Sequence, residues 1–358
     1  MLLLSFAAAQ AAGAVADRLR IPGGPIFVGL IATASISLTF GDVPAPPPVT
    51  FALVIVLAVV LGVRMTKENL RALRRIAVPS LLAASILLVA GLGVGLLVRA
   101  LAIAPHGDLL ATTPAALSII GAVAVEHGFD PAGIAVFHVM RIMLVIVTLP
   151  LLIRMLSEGP GRAGHPRTMP GHPGPTSLSE VGPRDAAEPL ARGAGWRGFG
   201  LLGLALLIST AVGLLTQWAA LPIPLLLPPF IVVSAIALVV HDPIPRPRWL
   251  AIGVQAGFGW LLGTFITRDT FADLGPVAAG AALSSVLLIL VGIGTAMLLA
   301  RLGIGPRGEM LATSPGGLEA LVLIADERGV GPMEVTLYHT VRMLVVMVAL
   351  PLIVLLAR

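Results

Sequence analysis

Apolar runs recur along the whole 358-residue chain, cut by short clusters of Pro, Gly and basic residues. Val49 to Val63, Ser80 to Val98, Leu201 to Leu215 and Val277 to Ala300 are examples. Each is close to the length of helix that crosses a hydrocarbon core of about 30 Å. The pattern predicts four apolar segments at 1–17, 25–40, 49–64 and 79–101, then a shorter one at 109–126 and a long helix at 132–155. A second set follows at 198–217, 223–240, 249–266 and 276–300, then 309–326 and 332–357. Pro131 and Pro332 fall where a first helical turn accepts proline.

The two sets are copies. Pro105 to Pro150 and Pro306 to Pro351 align without a gap at a shift of 201, with 17 of 46 positions identical. Between the copies, Ser157 to Gly195 is rich in Pro, Gly, Ser, Arg and Glu and has no apolar period. That composition predicts a flexible polar linker. The chain therefore divides into a first membrane repeat (1–156), a cytoplasmic linker (157–196) and a second repeat (197–358).

Composition agrees with a membrane protein. Only 11% of residues are charged and 57% are hydrophobic, too few charges to cover a soluble fold, which carries roughly 25%. Zero Cys excludes disulfides and thiolate metal sites. The net charge of +5 reads as basic cytoplasmic loops, not as a nucleic-acid surface. Met1 to Ala16 is apolar with Arg18 and Arg20 after it, the reverse of a cleaved leader. A retained first span with its amino end outside fits that order.

Charge also chooses a topology. If the fifth segment of each half is re-entrant, each half has five spans and the halves are inverted. The cytoplasmic side then holds 18 of the 23 Lys and Arg. If that segment crosses, the count falls to 9 inside against 12 outside. The positive-inside rule selects the first arrangement. The expected fold is thus an all-α polytopic membrane protein of about ten transmembrane helices. It is built as two inverted five-span repeats, each with a re-entrant hairpin, and both termini lie outside.

Candidate chemistry sits in the repeated unit. The re-entrant segments read Leu-Ala-Thr-Thr-Pro-Ala-Ala-Leu (110–117) and Leu-Ala-Thr-Ser-Pro-Gly-Gly-Leu (311–318). Thr112, Thr113 and Pro114, like Thr313, Ser314 and Pro315, suit the capped start of a short helix, whose free N–H groups would attract an anion. Gly316 and Gly317 permit close backbone approach, Ala115 and Ala116 less so. The other reading is a loop that needs small residues to pack.

On each closing helix, His138 and Arg141, then His339 and Arg342, stand three apart and share a face. Counting about 1.5 Å per residue from Pro131 puts Arg141 near the bilayer centre. A guanidinium there costs several kcal/mol without a partner. It either braces carbonyls of the re-entrant loop or meets a ligand, and one role does not exclude the other. Glu126 and Glu327 occupy matching positions and are the candidates for carrying a coupling proton, unless they only face interfacial water. The seven His residues show no metal-binding spacing, and no nucleophile elbow or phosphate loop is present. No cofactor and no enzymatic activity are expected. The Gly91, Gly93, Gly95 and Gly292, Gly294 runs read as close helix packing.

The duplicated LAT-[ST]-P-x-x-L … H-x-x-R … P unit resembles the AbrB duplication family of bacterial inner-membrane proteins, across nearly the whole chain. That family carries conflicting labels: transporter, ammonia monooxygenase and regulator of gene expression. The first copy departs from its pattern with Ala-Ala where Gly-Gly is favoured. The resemblance implies the bacterial inner membrane. Among the labels, the residues favour a secondary transporter of a small anion, carboxylate above all, coupled to a proton or sodium ion. The rival is a sensor that regulates gene expression indirectly through the linker. Partners would be the bilayer, the solute and a second copy in a homodimer, with no direct nucleic acid.

Overall fold

A computed structural model describes residues 1–19, 21, 24–63, 65, 67–157, 196–219, 223–240, 244–245, 247–268, 274–305, 309–316, 321, 325 and 332–357. The linker expected at 157–196 lies almost wholly outside the described residues, as do Gly317 and Glu327. The helices of the first half are α1 (Leu2–Arg18), α2 (Gly24–Phe40), α3 (Pro47–Gly62), α4 (Lys67–Ala100), α5 (Asp108–Thr112), α6 (Leu117–His127) and α7 (Pro131–Ser157). Those of the second are α8 (Trp196–Trp218), α9 (Leu227–Val239), α10 (Arg248–Gly263), α11 (Leu274–Arg301), α12 (Glu309–Thr313) and α13 (Pro332–Ala357).

The prolines begin helices as the sequence predicts. Pro47, Pro131 and Pro332 each open one, because a first-turn residue needs no N–H donor. Gly128 ends α6 with φ +70°. Ala102 takes φ +55° at the position where Gly303, its repeat mate, takes +68°, so both copies make the same left-handed turn after their long span.

Among the described residues, five helices are long and apolar enough to cross a membrane: Ile76–Ala100, Pro131–Thr148, Trp196–Trp218, Gly275–Arg301 and Glu334–Ala357. The other five expected spans are shorter, with 17 residues in α1 and α2, 16 in α3 and α10, and 13 in α9. A 16-residue helix rises only about 24 Å. The helices α1, α2 and α3 are as long as the predicted segments, and only α9 and α10 fall short of theirs.

The halves interleave. Helices α1–α3 and α8–α10 pack into one bundle, and α4, α5, α7 and α11–α13 into another. In the second bundle every cross-half pairing has a mate: α7 packs on α11, and α13 on α4. Helix α6 bridges the bundles, touching α7 on one side and α3 and α10 on the other.

The tightest crossing joins α2 to α10. A Cβ on Gly259 would lie 2.2 Å from the Ile26 carbonyl oxygen, and one on Gly263 2.7 Å from that of Leu30. The backbones meet through a Gly-x-x-x-Gly face, a spacing that suits close approach of membrane helices. Beside it, fully buried Trp260 donates from Nε1 to Ser5 Oγ at 3.0 Å and meets Phe6 edge-on. Two polar contacts tie helix ends of opposite halves. Arg248, opening α10, pairs with Asp17 near the end of α1 at 2.9 Å. Arg268, beyond α10, donates to the carbonyls of Leu38 and Thr39 at the end of α2.

Candidate functional site

Each half contains a helix that breaks at the hydroxyl–proline motif. In the first half, α5 ends at Thr112, Thr113 turns extended with ψ 131°, and α6 starts only at Leu117. Proline disfavours helical geometry in the residue before it, which accounts for the break. The expected capping role of the hydroxyls is corrected here. The cap position of α6 is Ala116, without a side-chain bond. Thr112 and Thr113 instead donate backwards, to the carbonyls of Asp108 at 3.0 Å and Leu109 at 2.6 Å. In the second half Thr313 donates to the Gly292 carbonyl at 2.9 Å. The hydroxyls satisfy the preceding backbone, so they leave the next helix start to its own N–H groups.

Buried Asp108 starts α5. It forms an ion pair with Arg99 at the end of α4 and accepts from the Leu109 N–H at 2.8 Å. Gly91 and Gly292 then seat the breaks. Added Cβ atoms would lie 3.0 Å from the Thr112 oxygen and 3.1 Å from the Thr313 oxygen, with Pro114 and Pro315 beside them. The expected helix–helix packing at these glycines is therefore packing against the broken segments. Gly93 and Gly294 face nothing within 4 Å.

Arg141 and Arg342 reach those breaks from the closing helices. Arg141 donates from its two terminal nitrogens to the carbonyls of Thr112 and Thr113, at 3.4 and 3.3 Å. Arg342 donates to the Ser314 carbonyl at 2.7 Å. Both are buried, 3% and 7% exposed. Each guanidinium caps the carbonyl end of a half-helix, where the helix dipole is negative. The brace role is thus real in both copies, and the bond is tighter in the second. Among the described residues neither is paired with a carboxylate.

The histidines stand one turn before the arginines. His138 and His339 bring Nδ1 to the carbonyls of Ile134 and Val335, at 3.0 and 2.9 Å. A carbonyl only accepts, so Nδ1 carries the proton and Nε2 of the neutral ring offers a lone pair. The Thr113 carbonyl borders the His138 ring. Nε2 of both rings and Nε of Arg141 are buried without a well-formed hydrogen bond. Such orphaned polar atoms are costly in an apolar interior. Thr112, Thr113, Pro114, His138 and Arg141 are thus brought together, as are Thr313, Ser314, Pro315, His339 and Arg342.

Glu126 is not part of that cluster and does not meet the arginines. It lies at the end of α6, where both carboxylate oxygens share the Leu225 N–H at 2.8 Å. That contact ties the bridging helix to the segment before α9. Glu126 is exposed as a residue, but partial burial of its carboxyl at this contact raises it from 4.5 to about 7, with the Leu225 N–H opposing. A raised carboxyl makes the ionised form costly to the fold, so its stability contribution is lost as pH rises from about 4.5 through 7. Glu126→Gln keeps an oxygen for Leu225 and removes the titration. Between about pH 5 and pH 8 the wild-type Tm is expected to fall relative to Glu126→Gln; parallel melting curves would contradict this.

Two features lie outside the sequence pattern described above: the Gly259-x-x-x-Gly263 crossing face and the Glu126–Leu225 contact. The first has a recognisable spacing. The second joins residues 99 apart and has none.

A family model described as "Transition state regulatory protein AbrB" matches residues 1–157 and 168–358. No curated protein and no solved structure matches the chain.

Proposed function

The chain belongs to the AbrB family, and from that premise we propose that it is an inner-membrane secondary transporter of a small anion, carboxylate above all. One observation carries the reading: two guanidinium groups, one from each half, are buried, and among the described residues their hydrogen-bond partners are carbonyls alone. Charges in a membrane interior ordinarily pair with one another or mark a path for solute. An anion between them would supply the missing counter-charge. The orphan Nε2 atoms of His138 and His339 stand ready to accept a hydrogen bond or proton from it.

The ten-span, inverted arrangement underlies this proposal. Contacts between helix ends support it. Asp17 with Arg248, Arg268 with Leu38, and Glu126 with Leu225 each join positions on one side of the membrane if the halves are inverted. With parallel halves the first two of these contacts would have to cross the bilayer, whereas Glu126 and Leu225 share a side in either arrangement. Inverted repeats with broken helices place their site where the breaks face each other. Glu126 ties α6 to the other half and is the candidate for proton coupling; Glu327 would be its repeat mate.

The test is a thermal-shift screen of the full chain with acetate, lactate, succinate, citrate, sulfate and phosphate. A ligand that binds the folded state raises Tm. At least one of these anions is expected to do so, and to be taken up by proteoliposomes even when 158–195 is shortened. If none shifts Tm, the transport reading fails. Binding without uptake would instead favour the sensor acting through the linker.

A further inference from the structure

We propose that the site takes a dianion, with one guanidinium on each of its two negative charges. This rests on the anion reading above and goes further, to the charge of the ligand. The geometry begins at Gly316, where an added Cβ would lie 2.7 Å from Val145 Cγ1. Val145 is one helical turn beyond Arg141 on α7, so the second half's break abuts the face of α7 that carries Arg141. Two residues before Gly316, Ser314 holds Arg342. Arg342 therefore holds the short segment Ser314–Gly316, and the face of α7 that carries Arg141 borders it from the other half.

Two like charges in a low-dielectric interior each need a counter-charge. A monoanion would leave one of them unbalanced. A dianion balances both, and the planar guanidinium fork matches the oxygens of a carboxylate or an inorganic oxyanion. Arg141 is the group better able to leave its present bonds. They are long, at 3.3 and 3.4 Å, and its Nε is unpartnered. The His339 Nε2, also unpartnered and buried, adds an acceptor for any proton the ligand retains. The shared chemistry is two negative charges, carried either at the ends of a short dicarboxylate or on one centre as in sulfate.

The test compares affinities of the full-length protein for succinate, monomethyl succinate, sulfate and methyl sulfate by calorimetry. The wild type is expected to bind at least one dianion about tenfold or more tightly than its monoanionic partner. Which pair shows the difference tells a dicarboxylate from a compact oxyanion. In Arg141→Gln the preference is expected to collapse, and in Arg141→Lys, which keeps the charge, to persist. Equal binding of dianions and monoanions by the wild type would overturn the inference while leaving an anion site in place. Binding of none of the four, nor of any anion in the wider screen, would overturn the underlying reading too. The wild-type comparison decides by itself if a variant fails to fold.

Discussion

Arg141→Gln is expected to weaken binding of the dianion by about a hundredfold, or about 3 kcal/mol, while leaving the ligand-free protein as stable as the wild type or more so. The two effects have opposite signs for one reason. Arg141 is a buried cation held by two long bonds, with a third donor unpartnered. Taking such a charge out of water costs several kcal/mol, and weak carbonyl contacts do not return that. A glutamine keeps a donor for Thr112 or Thr113 and removes the charge, so a gain of about 1 kcal/mol in the ligand-free state is reasonable. Arg342→Gln is different, because the bond it gives up is short, at 2.7 Å to the Ser314 carbonyl, and a shorter, neutral amide replaces it only in part. That variant is expected to melt below Arg141→Gln. Melting curves without ligand, together with calorimetry, check both halves of the statement. If Arg141→Gln melts well below the wild type and alongside Arg342→Gln, both arginines are structural pins.

Gly259→Val is expected to leave no stable folded protein. A Cβ there would sit 2.2 Å from the Ile26 carbonyl oxygen and 2.9 Å from the Leu30 nitrogen. Both obstacles are backbone, so no side-chain rotation makes room. Helices α2 and α10 would have to separate, and with them the Trp260–Ser5 bond and the contact of Gly29 with the Ala256 backbone. Overpacking a well-packed core typically costs 1–3 kcal/mol, and the branched side chain against backbone belongs above that range, at about 4 kcal/mol. Gly203→Ala, where nothing lies within 4 Å, is the matched control. Size-exclusion profiles should show aggregate for the first and a single wild-type-like peak for the second. A monodisperse Gly259→Val would mean that the α2–α10 crossing is looser than described.

Much of the fold was legible because it depends on local pattern. The repeat, the proline-opened helices α7 and α13 and the break at each hydroxyl–proline motif all follow from nearby residues. Local pattern also misled. A Thr-Thr-Pro run looks like a helix start, yet the hydroxyls found nearer carbonyls one turn back. The choice between two backbone partners turned on the extended residues before Leu117. The Gly91 and Gly292 runs announced close packing but not its object, which is a broken segment about twenty residues later in the chain.

The candidate site divides the same way. His138 and Arg141 could be placed on one helical face by counting, since helical period is a property of the chain itself. Their partners could not. Arg141 reaches carbonyls 28 and 29 residues back, and Glu126 a nitrogen 99 residues on. Repeated motifs along the sequence carried the family resemblance and the duplication, and hydropathy determined the membrane-compatible character, because each residue carries its own transfer cost wherever it sits. Which helices cross, which carbonyls each guanidinium caps and which polar atoms stay unpaired were decided only when the halves packed together, since those contacts depend on distances that no local period contains.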